Sequence, residues 1–145
     1  MGSNDRLHVR IFELPTGKEL GSIRDDSLVQ PALTDAYIEK YNMVAGRGAD
    51  AVHLKDFEHP ATQPVLFGFL ADTQNRLWVY LNRPGFKEEN HYRVYSQVNG
   101  CLGEVILPRG YLFHADDTYV WYSRWNEMGD TLLVKQRYQL KDVTP

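Results

Sequence analysis

Asp50, His53, Asp56 and His59 form a run of ionisable residues set three apart. On a helix that spacing brings successive members to one face, and imidazole beside carboxylate is a donor set of metal-binding type. His53 and His59 are therefore candidate metal ligands, although a solvated helix face ending at Pro60 produces the same pattern. A second group, His114, Asp116 and Asp117, together with His91, offers imidazole and carboxylate for general acid–base chemistry. An Asp-rich stretch before Thr118 is also what a tight turn demands. The single cysteine, Cys101, follows Gly100 with no base beside it in sequence and reads as a small buried thiol rather than a nucleophile. No serine lies in a nucleophile elbow, and Gly46-Arg-Gly48 is too short for a phosphate loop. No cofactor motif is present, and the sequence assigns no catalytic residue.

One feature stands above this background, and it is aromatic. Trp78, Tyr80, Tyr92, Tyr95, Trp121, Tyr122 and Trp125 are interleaved with Arg76, Arg83, Arg93 and Arg124. Rings sharing one face would make a platform for a flat or apolar ligand, with guanidinium groups as polar anchors. Trp78, Tyr80, Arg93, Trp121, Arg124 and Trp125 are the candidate binding residues. The competing use of the same rings is to fill the space between packed sheets.

Composition narrows the classes. Sixteen Lys and Arg against 19 Asp and Glu leave a formal charge of −3 with no basic stripe, so the sequence predicts neither a nucleic-acid nor a membrane partner. No apolar run approaches the ~18 residues of a membrane span, and the first residues lack the apolar core of a signal peptide. A lone cysteine forms no intrachain disulfide, and compartment is not legible. The 145 residues suit one domain.

The elements that must carry these residues read mainly as strands. Val9 and Ile11 alternate with His8, Arg10 and Phe12, Pro15-Thr-Gly17 turns the chain, and residues 7–23 form a hairpin. Thr34-Asp35 caps a helix on which Tyr37, Ile38, Tyr41, Val44 and Ala45 recur until Gly46, and Val52, Leu54 and Phe57 suit a further helical turn or two. One or two short helices are thus expected between residues 34 and 59. Residues 65–71 suit a short strand buried on both faces or lying next to a core. In 76–81 Leu77, Val79 and Leu81 oppose Trp78 and Tyr80, so both faces want cover. Further strands follow at 90–96, 102–107, 110–115, 118–125 and 131–140, with Tyr119, Trp121, Ser123 and Trp125 on one face against Val120, Tyr122 and Arg124. The expected fold is a single mainly β domain, an antiparallel meander of about nine strands over 65–140 and the N-terminal hairpin, forming a curled sheet or small barrel.

An internal repeat sharpens this. His8-Val-Arg-Ile-Phe, Gly17 and Leu20-Gly-Ser-Ile23 match His91-Tyr-Arg-Val-Tyr, Gly100 and Leu102-Gly-Glu-Val105, with one residue of slippage before Leu-Gly. The copies stand 83 positions apart, which suits two four-strand units. Phe69-Leu-Ala-Asp-Thr-Gln-Asn-Arg-Leu-Trp-Val79, Tyr92 to Pro108 and Tyr119 to Leu140 together resemble the last two blades of bacterial six-bladed β-propellers of the NHL/TolB-like kind, across about residues 64–140. The resemblance implies blade-like hairpins and says little of function. Asn75 stands where that pattern prefers Gly, and Ser96-Gln97 replace its usual Asp. Because so few strands cannot close a ring, the chain is either a fragment of a longer propeller or, the favoured expectation, a reassembled curled sheet or barrel whose exposed edges a second copy completes in a homodimer. The function expected is a non-catalytic module binding a small apolar or aromatic ligand or a protein partner. The alternative is a β-barrel enzyme with an aromatic pocket and a His/Asp pair.

Overall fold

The computed structural model describes residues 6–40, 43–45, 52–53, 58, 61–86 and 88–143. Its strands and helix, in chain order, are β1 (Leu7–Phe12), β2 (Glu19–Asp25), α1 (Asp35–Lys40), β3 (Met43–Ala45), β4 (Val52–His53), β5 (Leu66–Ala71), β6 (Leu77–Leu81), β7 (Glu89–Ser96), β8 (Gly100–Pro108), β9 (Tyr111–Ala115), β10 (Tyr119–Trp125) and β11 (Thr131–Arg137). Nine strands lie in three antiparallel sheets: the hairpin β1-β2, the meander β5-β6-β7-β8 and the meander β11-β10-β9. A two-strand ladder β3-β4 is added between them in sequence. The mainly β expectation holds, and the sheets do not close into a barrel.

The β5–β8 sheet is the middle layer, because alternation along its strands puts apolar side chains on both faces. Trp78, Tyr92, Val94, Val105 and Leu107 pack against Leu112, Ala115, Val120 and Tyr122 of the third sheet. From the other face, Val79, Leu81 and Tyr95 meet Leu7 and Ile23 of the hairpin, with Leu28 and Val65 alongside. Opposite burial of Trp78 and Val79, neighbours in one strand, is what the alternation in 76–81 predicts.

Two expectations are corrected. The helix ends at Lys40, and residues 43–45 are extended and paired with 52–53, where further helix is expected from the apolar spacing. Thr34 does cap α1, its hydroxyl accepting from the Tyr37 N–H at 3.2 Å. The β5 strand is an edge whose Leu66 packs on the hairpin side and Leu70 on the third-sheet side, while Phe67, Phe69 and Ala71 are exposed. The last strand stops at Arg137, after which Tyr138 leaves the sheet and packs on the core.

The sequence repeat is also a backbone repeat. In β1-β2, Ile11 pairs with Gly21 and Phe12 with Glu19, skipping Leu20; in β7-β8, Val94 pairs with Gly103 and Tyr95 with Cys101, skipping Leu102. Each Leu is therefore the extra residue of a β-bulge. The turn glycines match, with φ 69° at Gly17 and 68° at Gly100, and so do the bulge glycines, with φ 158° at Gly21 and 146° at Gly103. The one-residue slippage is absorbed in the longer first turn.

These glycines differ in what lies against them. A Cβ on Gly103 would stand 2.6 Å from the Lys141 carbonyl oxygen, a backbone atom held by paired Glu104–Lys141 hydrogen bonds of 2.8 Å. At Gly21 the obstacle is the Gln97 side-chain amide, which can swing away. Gly103→Ala is expected to lower stability by about 1–3 kcal/mol in urea unfolding, and Gly21→Ala by clearly less. Equal losses at the two positions would contradict the packing described.

Candidate functional site

Asp72 ends β5 and builds the turn to β6. One carboxylate oxygen accepts from the backbone N–H groups of Gln74 and Arg76, both at 2.9 Å, and the other accepts from Arg76 Nε at 2.6 Å and Trp78 Nε1 at 2.8 Å. Within that turn Asn75 has φ 56°, the left-handed conformation that explains a preference for Gly and a tolerance of Asn. Arg76 then reaches the third sheet, donating to the Asp116 carbonyl at 2.7 Å and the Tyr138 hydroxyl at 2.8 Å, while Tyr138 donates to the same carbonyl at 2.9 Å. Arg76 and Trp78 are thereby structural, and Asp72 is the residue that organises them.

The opposite face of the middle sheet has its own polar clamp. Arg93, 4% exposed, donates to Glu104 Oε1 from Nε at 3.1 Å and from Nη2 at 2.7 Å, and from Nη1 to Asp25 and Ser27, both at 2.9 Å. Tyr95 donates to Asp25 at 2.7 Å. Burial alone would lower the Arg93 pKa, but Glu104 and Asp25 raise it. Burial alone would raise the Asp25 carboxyl, and hydrogen bonds from Ser27, Tyr95 and Arg93 outweigh it, bringing the group down to about 2. A cleft of about 450 Å³ opens beside this clamp, lined by Arg24, Cys101 and Asp142 among others. The Asp25 oxygens facing it are already occupied.

The six candidate binding residues do not converge. Trp78 is fully buried between the middle and third sheets, and Tyr80 lies on the same face, stacked on Tyr92 with ring centroids 5.2 Å apart and hydrogen-bonded to Asn90. Arg93 is on the other face. Trp121 and Trp125 point outward from the third sheet, and Arg124, of the inward parity, is exposed at the end of β10. The core use of the rings therefore takes Trp78, Tyr80, Tyr92, Tyr95 and Tyr122, and the platform is formed by a different set.

That set is the outer face of β9–β11. Trp125 is 75% exposed, Tyr111 72% and Leu133 72%, with Phe113 and Tyr119 also exposed. At its centre Trp121 is met edge-on by His114 at 4.8 Å, and the Lys135 ammonium lies 4.3 Å from the Tyr119 ring centroid and 5.1 Å from that of Trp121. Register explains the grouping: Trp121 is paired with both His114 and Lys135, and Ser123 with both Tyr111 and Leu133. Tyr111 and Leu133 were not singled out in the sequence, where only the alternation of 118–125 hinted at the face.

The acid–base candidates are placed apart or occupied. The Asp116 carboxylate accepts from the N–H groups of Thr118 at 2.7 Å and Tyr119 at 2.6 Å, which holds its pKa below the usual range and makes it the turn residue expected. Asp117 accepts from the Thr118 hydroxyl at 3.2 Å. His91 is buried against Phe86, ring centroids 4.5 Å apart, and its Nε2 lies 3.5 Å from a Glu89 carboxylate oxygen without forming a well-aligned hydrogen bond. Burial, then Arg83, lowers its pKa. Cys101 is exposed, not buried as expected, and partial desolvation pushes its thiol pKa up, away from thiolate. Among the described residues no group of three or more His, Cys, Asp or Glu is placed to hold a metal; the side chains of Asp50, His53, Asp56 and His59 lie outside them. No described helix is long and apolar enough to cross a membrane.

Comparison of the chain with protein-family models, with curated proteins and with solved structures gives no match.

Two measurements check the clamps. Asp72→Ala removes the acceptor of Arg76 and Trp78 together and is expected to cost about 3–5 kcal/mol in urea unfolding, as breaking a buried pair does. Because the Asp25 pKa is lowered on folding, its contribution is present above the ordinary value of 3.8 and is lost as pH falls from there through about 2. Urea midpoints between pH 5 and pH 2 should show a loss of about 1–2 kcal/mol from this group, after allowance for solvent screening, that Asp25→Asn lacks. His91, favoured neutral in the fold, adds a shallower loss that begins below its ordinary 6.5.

Proposed function

We propose that this chain is a non-catalytic interaction module whose contact surface is the outer face of β9–β11. The observation that carries this is the exposure of Trp125, Tyr111 and Leu133 side by side on a sheet whose other face is core. Water-exposed apolar patches of this kind are binding surfaces far more often than accidents of packing, and Trp and Tyr are the side chains most enriched where such surfaces bind tightly. A flat ring or an apolar protein surface is the ligand this chemistry suits. A catalytic reading draws no support from Asp116 and Asp117, whose carboxylates accept hydrogen bonds within their own turn.

The reading is tested with an environment-sensitive apolar dye such as anilinonaphthalene sulfonate, at about 1 µM protein so that self-association does not hide the face. The wild-type chain should enhance dye fluorescence, and Trp125→Glu or Leu133→Glu should remove most of the enhancement with an unchanged circular dichroism spectrum. Absence of enhancement in the wild type, or enhancement that survives both substitutions, would overturn it.

A further inference from the structure

Register sorts the outward side chains of the third sheet into rows, and the rows differ in charge. Tyr119 lies opposite Arg137, and Trp121 lies between His114 and Lys135. Beyond them Ser123 lies between Tyr111 and Leu133, and Trp125 lies opposite Thr131. The face is thus cationic at one end and uncharged at the other, and none of these positions holds an acid. Lys135 and Arg137 are exposed, and among the described residues neither has a carboxylate within ion-pair distance. Arg10, Arg24, Arg83 and Arg93, by contrast, are each paired with a carboxylate of the chain. In the adjoining turn the Asp116 carboxylate accepts from the Thr118 and Tyr119 N–H groups, and Asp117 accepts from the Thr118 hydroxyl. In a chain of net charge −3, an acid-free patch offering two such cations is complementary to a negative ligand.

The rings around those cations indicate what the negative group is joined to. Tyr119 and Trp121 are inclined at 59° with centroids 6.2 Å apart, and the Lys135 ammonium lies 4.3 Å from one centroid and 5.1 Å from the other. The two rings wall a shallow notch that holds a positive charge, and a cation–π contact leaves ammonium N–H groups for an acceptor. We propose, resting on the reading of this face as a contact surface, that its ligand is a small planar aromatic anion. Lys135 and Arg137 hold its acidic group, and its ring lies over Trp121 toward Leu133. Successive rows are ~7 Å apart, a distance that one ring system with one acidic substituent spans. A polyanion fits less well. A nucleic-acid strand carries a charge on every nucleotide, whereas past Trp121 the rows hold no cation and the turn beyond Trp125 holds Glu127 and Asp130. A neutral apolar ligand would use the rings and leave the charges of Lys135 and Arg137 unanswered.

The test titrates the full chain, at about 1 µM, with two fluorescent dyes that differ by one charge. They are anilinonaphthalene sulfonate and phenylnaphthylamine, its neutral analogue without the sulfonate. Lys135→Gln should raise the Kd of the sulfonate dye about 3–5-fold and leave that of the neutral dye unchanged, while Lys135→Arg keeps the wild-type Kd for both. Raising the salt from about 20 to about 500 mM should weaken the sulfonate dye alone. Lys135→Gln acting on both dyes alike, or on neither, overturns the anionic ligand, as does a salt response that the two dyes share. The interaction-module reading then still stands if Trp125→Glu abolishes the enhancement of both dyes. A wild type that enhances neither dye removes that reading and this proposal with it.

Discussion

A sheet with apolar side chains on both faces cannot stand in water on either side, and β5–β8 is such a sheet. Val79 and Trp78, adjacent in β6, are both fully buried in opposite directions. Burying a large apolar side chain is worth about 1.5–3 kcal/mol, so each face of the middle sheet demands a cover. The hairpin supplies one and β9–β11 the other. Neither cover has the same demand on its far side in equal measure: the hairpin ends in arginines, and the third sheet ends in rings.

Apolar contact alone leaves layers free to slide, and one polar clamp on each face removes that freedom. On one side Asp72 gathers Arg76 and Trp78 and, through Arg76, grips the Asp116 carbonyl and the Tyr138 hydroxyl of the third sheet. On the other, Arg93 joins Glu104 of its own sheet to Asp25 and Ser27 beside the hairpin. Hydrogen bonds to charged groups in such places are directional, and leaving any one partner unmade is costly. This is why Arg76 and Arg93, which look in sequence like ligand anchors, are internal struts.

The repeated hairpin shows how the same sequence types serve two positions in the stack. In both copies a Leu-Gly bulge follows the turn, and in both the next part of the chain lies against the bulge: Gln97 donates to the Leu20 carbonyl at 2.8 Å, and Lys141 pairs with Glu104. At Gly103 a glycine is needed because the backbone of another segment occupies the space of its Cβ, whereas at Gly21 only the Gln97 side chain stands there. The repeat is thus a rule for stacking, and the outer face of the third sheet is where that rule runs out of partners within one chain.

Local order was legible in the residues alone. Two-residue alternation marked the strands, Thr34 marked a helix start, Asp116-Asp117 marked a turn, and the opposed faces of 76–81 announced a doubly covered strand, because these depend on neighbours in the chain. The apolar spacing of 37–45 was misleading, since the same spacing served a helix of six residues followed by an extended pair. What the sequence could not decide was which face of each aromatic strand meets a neighbour. Trp78 and Trp121 are alike in type and strand context, yet one is sealed between sheets and the other looks outward, because a third sheet lies over the first and, among the described residues, none lies over the second. Only tertiary stacking distinguishes them, since burial is set by what arrives from elsewhere in the chain.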